Sequence, residues 1–236
     1  MKISVCMATF NGEKYIEQQI ASILCQLSLD DELIISDDGS TDNTLCIIET
    51  FNDSRIKLLP GQEFHNPIFN MENALKNAIG DHIFLSDQDD IWLPNKVKTV
   101  VNYLQEYDCV VSDAFLIDAD RNIICDSFFE KNNSKRGFFH NIIKNGYLGC
   151  CMAFNKRMLR YVLPFPTNIP MHDVWIGLIT ELFGNAIFLK EPLIYYRRHG
   201  LNYSPTSEKS KNTLFFKLRY RLILLVNLIK ILLKSI

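Results

Sequence analysis

The chain has 236 residues, 47% hydrophobic and 22% charged, which is enough apolar material for one sizeable folded domain with or without an appendage. A formal net charge of −2 gives no reason to expect nucleic acid as a partner. The charge is uneven: Lys209, Lys211, Lys217, Arg219, Arg221, Lys230 and Lys234 are joined by no acidic residue, and their removal from the total leaves residues 1–208 at −9.

In chain order, residues 3–8 read as a buried strand, and Ile16, Ile20, Ile23 and Leu24 recur at helical spacing after a turn at Asn11-Gly12. Residues 32–36 form a second strand that runs into Asp37-Asp38-Gly39-Ser40. Ser40 or Thr41 can cap a helix carrying Leu45, Ile48 and Phe51. A short strand at 55–59, a helix at 71–79 stopped by Gly80, and a strand at 83–86 ending in Asp87-Gln88-Asp89-Asp90 follow. Pro94 opens a helix with Val97, Val100, Val101 and Leu104 on one face. Residues 109–117 are strand-like, 118–121 a hairpin turn, and 126–137 a polar, mobile loop. The last elements are strands at 150–154, 186–189 and 193–197 and a helix at 172–183.

Strand and helix alternate at short spacing, which predicts an α/β domain with a mostly parallel sheet flanked by helices. The N-terminus enters its first strand without the apolar segment of a signal peptide. The seven cysteines are odd in number, lack a CxxC pair and include several within apolar runs. They read as reduced, buried thiols of a cytosolic compartment rather than a disulfide framework or zinc site.

In an open parallel sheet, ligands bind beyond the carboxyl ends of the strands. Three polar clusters fall there: Thr9-Phe10-Asn11, Asp37 to Ser40, and Asp87 to Asp90. One Asp-Gly-Ser is what a turn favours anyway; the coincidence of three clusters points to a site. Asp87, Asp89 and Asp90 repel one another unless a cation is present, and Mg²⁺ and Mn²⁺ prefer such oxygen ligands shared with phosphates. A solvated acidic turn is the alternative, and the neighbouring Trp92 and apolar strand weigh against it.

Residues 4–24 (SVCMATFNGEKYIEQQIASIL), 35–44 (ISDDGSTDNT) and 85–94 (LSDQDDIWLP), with His172-Asp173, Trp175 and 195–200 (YYRRHG), resemble family 2 glycosyltransferases of the GT-A type. The resemblance covers about residues 1–202 and is strongest to bacterial enzymes of O-antigen or capsule synthesis, including rhamnosyl- and glucosyltransferases. It implies a GT-A fold, Rossmann-like and nucleotide-binding. It further implies inverting, metal-dependent transfer of a sugar from a UDP- or dTDP-linked donor to a polyprenyl-linked saccharide.

The resemblance also implies roles. Thr9, Phe10 and Asn11 line the base pocket. Asp37 accepts from a pyrimidine ring N–H, and Asp38 serves the same pocket or only caps the next turn. Asp87 meets the ribose or a metal-bound water, Asp89 ligates Mn²⁺ or Mg²⁺, and Asp90 touches a sugar. Asp173 is the general base; His172 orients it or contacts the acceptor, with Trp175 on the acceptor side. His172-Asp173 can also simply cap a helix. His199 joins the metal or is a loop residue. Of Arg197 and Arg198, which alternate in direction on a strand, one faces the diphosphate.

Three features depart from the family pattern. No Arg precedes the Asn in 70–74, Ala8 and Phe10 replace the usual Pro and Tyr, and the processive QxxRW signature is absent, which favours a single transfer per encounter.

Domains are expected at 1–205, the transferase, and 206–236, a basic amphipathic tail. The longest uncharged run in the tail, 222–229, is far below the ~20 residues a membrane span needs. A helix lying on the inner face of the cytoplasmic membrane fits, and packing on the body or on a dimer partner is the alternative. A catalytically silent nucleotide-sugar-binding subunit is the competing function. The missing GxGxxG disfavours a dehydrogenase, and Thr9 to Lys14 lacks the basic, glycine-rich loop of a nucleotidyltransferase.

Overall fold

The computed structural model describes residues 1–199 and 214–234. In chain order the elements are β1 (Ile3–Thr9), α1 (Ile16–Leu24), β2 (Glu32–Asp37), α2 (Thr44–Thr50), β3 (Ile56–Leu59), α3 (Pro67–Lys76) and β4 (His82–Asp87). There follow β5 (Ile91–Trp92), α4 (Lys96–Tyr103), β6 (Cys109–Ile117), β7 (Ile123–Cys125), α5 (Phe128–Asn132) and α6 (Phe138–Ile143). The chain then forms β8 (Met152–Asn155), α7 (Leu159–Val162), α8 (His172–Phe183), β9 (Ala186–Arg197) and α9 (Leu214–Lys234).

The sheet runs β3-β2-β1-β4-β8-β6-β9-β5, with β7 paired to β6. β1 to β4 are mutually parallel; β8 is antiparallel to both β4 and β6, β6 and β9 are parallel, and β5 is antiparallel to β9. β1 lies centrally and is buried along nearly its whole length, as expected for a parallel strand covered on both faces. The chain leaves β1 toward β2 and β3, then returns to place β4 on the other side of β1. That reversal creates a crevice at the carboxyl ends. The register brings the clusters together there, since Thr9 pairs with Asp37 and Ala8 with Asp87.

The structure revises several local expectations. Residues 126–137 are not simply a mobile loop. Ser127 caps α5, Phe128 and Phe129 are buried, and the Asp113 carboxylate accepts from the Ser127 hydroxyl and the Phe129 N–H. The polar composition hid two aromatic anchors. β9 is one strand rather than two; Lys190-Glu191-Pro192 interrupts the apolar pattern, while the backbone passes through with bulges in its pairing to β6. β5 is too short to leave a periodic signal. Cys25 and Cys46 are exposed, although all seven cysteines are free thiols.

α9 is docked on the body, with Leu224 and Leu228 fully buried in the main core. No helix among the described residues is long and apolar enough to cross a membrane. The boundary expected near 204–210 lies outside the described residues.

α8, which carries His172 and Asp173, is held by close packing of Gly177 on the buried Tyr147 ring. An added Cβ would overlap that ring. Gly177→Ala is therefore expected to lower stability by about 1–3 kcal/mol, read as a lower urea midpoint.

Candidate active site

The loop after β1 is tied to both neighbouring loops. Thr9 is nearly buried, and its hydroxyl donates to Gln88 Oε1. The Phe10 N–H donates to that same oxygen at 2.8 Å, and Gln88 Nε2 returns a bond to the Phe10 carbonyl at 3.0 Å. The Phe10 ring is left 51% exposed, an apolar face at the mouth of the crevice. Asn11 sits at φ 47, which Asn tolerates better than most residues. Its Oδ1 accepts from the Thr41 N–H at 2.9 Å, and its own N–H donates to Ser40 Oγ at 2.8 Å. Gln88 was not singled out from the sequence. Its only signal was its place between two aspartates.

Asp37 is fully buried and accepts from the Gly39 and Ser40 N–H groups at 3.1 and 2.8 Å and from the Ser40 hydroxyl. Asp38 departs from the pocket role. Its carboxylate accepts from the N–H groups of Phe64, His65 and Asn66 at 2.6, 3.1 and 2.9 Å. Three backbone donors tie up that carboxylate, so it shapes the loop before α3 instead of facing a ligand.

The acidic cluster follows β4. Burial, then the negative charges of Asp89 and Asp173, push the Asp87 carboxyl up to about 7. Asp90 is wholly buried and held well above the ordinary carboxylate value, first by burial and then by Asp89 and Asp87. One of its oxygens accepts from the Arg197 N–H at 2.9 Å, and the other has no hydrogen-bond partner among the described residues. Asp89 Oδ2 lies 2.8 Å from His199 Nε2, so two residues far apart in sequence converge. The His199 ring packs on Tyr15, centroids 4.9 Å apart.

Arg197 does not face the diphosphate. It is 1% exposed, and its guanidinium donates to the carbonyls of Asp89 (2.8 Å) and Ala119 (3.0 Å) and to Gln18 Oε1 (3.2 Å), while lying 4.5 Å over the Tyr15 ring. It is a positioning residue that fastens β9 to the acidic loop. Arg198 points the other way, half-buried, with its guanidinium at the Tyr196 hydroxyl.

On the far side, α8 begins with His172 and Asp173. Burial raises the Asp173 carboxyl to about 6, against hydrogen bonds from the Val174 N–H and the Asn145 side chain. His172 is buried, its pKa lowered to about 4, so the ring is neutral near pH 7. Its Nδ1 has no partner among the described residues, and Gly149 leaves room beside the ring. Trp175 cannot touch an acceptor in this geometry: it is fully buried, with its indole N–H donating to the Val162 carbonyl at 3.0 Å.

The family model for glycosyl transferase family 2 matches residues 4–163. The chain belongs to that family. It is 32% identical over 219 residues to the dTDP-rhamnosyl transferase RfbG of Shigella flexneri, covering 83% of this chain and 72% of that one. It is 30% identical over 180 residues to an Escherichia coli protein, WfgD, named as a UDP-Glc:alpha-D-GlcNAc-diphosphoundecaprenol beta-1,3-glucosyltransferase, covering 76% and 70%. An uncharacterized Nostoc glycosyltransferase is 29% identical, and there this chain spans 66% of the longer relative. Among solved structures, Staphylococcus aureus TarS 1–349 in complex with UDP-GlcNAc superposes with a TM-score of 0.72 at 19% identity, covering 96% of this chain and 67% of that one. A Pyrobaculum calidifontis mannosyltransferase in complex with GDP-Man and Mn²⁺ gives 0.62 at 19% identity, covering 86% and 58%. The fold is GT-A.

The donor set of this family 2 domain fits a hard divalent cation. Asp89 and His199 offer an oxygen and an imidazole nitrogen side by side, and the partnerless Asp90 oxygen is a further acidic donor nearby in sequence. Asp87, Asp90 and Cys150 also lie within 4.8 Å of one another. Burial keeps the Cys150 thiol protonated, which makes it a poor ligand for Mg²⁺ or Mn²⁺.

Two expectations follow. The folded protein keeps a proton on Asp87 where the unfolded chain, titrating near 3.8, has lost it. Stability should therefore fall as pH rises from about 4 to about 7 and stay lowered above. Asp87→Asn is expected to raise the melting temperature by a few degrees at about pH 8 without divalent ions, and little at about pH 4, by differential scanning calorimetry. Arg197→Lys keeps the charge but loses the planar fork that joins Asp89, Ala119 and Gln18, and should lower the melting temperature by a few degrees in differential scanning calorimetry.

Proposed function

We propose that this domain is an inverting, metal-dependent glycosyltransferase. It moves a sugar from a UDP- or dTDP-linked donor to a polyprenyl-linked saccharide in bacterial surface polysaccharide synthesis, at the inner face of the membrane. The observation that carries the reading is the meeting of Asp89 and His199 at 2.8 Å in the loop after β4, beside the buried Asp87 and Asp90, with Asp173 in the first turn of α8 near enough for its negative charge to help raise Asp87. The relatives support the choice of substrates: one is named a dTDP-rhamnosyl transferase and another a glucosyltransferase acting on a diphosphoundecaprenol-linked sugar. A Campylobacter jejuni relative, 33% identical over 125 residues, is named for a PP-undecaprenol acceptor.

In this reading the Phe10 ring offers the nucleobase an apolar face and Arg198 meets the diphosphate, while Asp37, fully buried and occupied by Gly39 and Ser40, shapes the pocket wall instead of accepting from the base. A divalent cation on Asp89 and His199 would supply Lewis acidity to the leaving diphosphate. Asp173 accepts the proton of the acceptor hydroxyl as that oxygen bonds to the anomeric carbon. The bond from that carbon to the diphosphate oxygen breaks on the opposite face, which inverts the centre. Neutral His172 packs next to the base and can orient it or the acceptor. The α9 helix holds the domain at the membrane surface.

Asp173 must be ionised to act, and burial sets its pKa at about 6. Turnover is therefore expected to rise with pH through about 6 and level off above. Asp173→Asn should bind UDP or dTDP with Mn²⁺ as the parent does, yet lose about 100-fold or more of the transfer rate. Calorimetry with a panel of nucleotide sugars, with Mn²⁺ and with chelator, reads the first part; product assay reads the second. Near-parent turnover in the variant overturns the base assignment. Failure of every nucleotide sugar to bind the folded protein favours the silent-subunit alternative.

A further inference from the structure

α9 is anchored on one side only. Leu224 and Leu228 are buried, Arg221 donates to the Ile143 carbonyl, and Asn227 Nδ2 donates to Asn168 Oδ1 at 3.0 Å. At about 100° per residue, Leu218, Leu222, Val226, Ile229 and Leu233 fall on one stripe turned away from Leu224 and Leu228. Each of these five is between 43% and 70% exposed. Beside them, α6 presents Phe139 at 79% and Ile143 at 63% exposure. Because Arg221 reaches the Ile143 carbonyl, the end of α6 lies next to the early turns of α9.

Single exposed apolar residues are ordinary, but seven on two helices that meet at the Arg221–Ile143 contact are not. Its charge selects the occupant. Arg219 and Lys230 lie along one margin of the stripe and Arg221 along the other, and α9 holds no acidic residue. A second copy meeting this face through its own α9 would set positive charge against positive charge. An anionic bilayer supplies both an apolar interior and opposite charge.

We propose that α6 and α9 together form a single docking surface for an anionic lipid bilayer, with Phe139 and Ile143 inserting beside the α9 stripe. The surface sets orientation as well as attachment. α6 leads through Asn145 to the buried Tyr147, whose ring packs on Gly177 of α8, and Asn168 lies just before His172. Docking through both helices turns the base side of the crevice toward the lipid surface. That consequence rests on the proposed lipid-linked acceptor; the docking itself does not.

The test is flotation of the full chain with phosphatidylcholine vesicles containing or lacking phosphatidylglycerol, beside Mn²⁺–UDP calorimetry on the same samples. The parent protein should float with the anionic vesicles only. Phe139→Ser with Ile143→Ser should weaken vesicle binding about tenfold or more, with UDP binding and melting temperature unchanged. Leu222→Ser with Ile229→Ser should do the same. Parent-like flotation of the α6 double variant overturns the composite surface in favour of α9 alone. Absence of parent flotation, with UDP still bound, overturns the docking surface and leaves sugar transfer standing. A concentration-dependent dimer abolished by the α9 variant, without flotation, overturns it in favour of a second copy. Flotation as expected without any UDP binding supports the surface and counts against the transferase reading.

Discussion

Carboxylates crowded into a poorly solvated crevice repel one another and resist ionising, and this domain is organised around holding several of them there. Asp87, Asp89 and Asp90 follow one strand, and Asp173 approaches from a helix that begins far downstream in the chain. Burial and mutual charge lift Asp87 to about 7 and Asp173 to about 6. Such an arrangement persists only if the backbone around it is held from elsewhere. In the proposed mechanism that crowding favours a cation among the carboxylates and gives Asp173 a proton affinity suited to a base.

The restraint comes from two directions. On one side, the parallel register of β1 with β2 and β4 lines up Thr9, Asp37 and Asp87, and Gln88 and Asn11 lace the three loops together. On the other, Arg197 reaches from the end of β9 to the Asp89 carbonyl, while its own N–H reaches Asp90. The two-residue β5, antiparallel to β9, continues that seam. His199 arrives at Asp89 because β9 has already been fastened there. The loop is thus positioned at the Asp89 carbonyl and at the buried Asp90 carboxylate, which leaves the Asp89 carboxylate to meet His199.

The third layer of organisation joins the base to the outer surface. α8 packs on α6 and carries Asp173 at its first turn, and α9 is anchored beside both. The apolar stripe of α9 thus belongs to a helix tied to the end of α6 and to the segment just before α8. α6 leads through Asn145 to the buried Tyr147, whose ring packs on Gly177 of the helix that carries Asp173.

Much of this was legible in the chain itself. Apolar runs punctuated by Asn-Gly and Asp-Asp-Gly-Ser marked the parallel half of the sheet, because each strand there is buried on both faces and ends in a polar loop. The three loop clusters could be named from their place after apolar strands, and the His-Asp pair from its resemblance to the family. The tail declared its amphipathic character through the spacing of its basic residues. Other features carried no local signal. Asp38 and Asp37 are neighbours of one kind, yet only the path of the loop before α3 shows that Asp38 is taken up by three backbone N–H groups. Arg197 and Arg198 look equivalent until strand pairing sends one inward. Trp175 resembles a ligand-facing aromatic until α8 is packed, and two phenylalanines turn an apparent loop into α5. Composition and periodicity, which act between near neighbours, determined the α/β class, and the motifs carried the resemblance that implied the chemistry. The direction in which each of those side chains points was decided by contacts between segments far apart in sequence, and those exist only once the chain has folded.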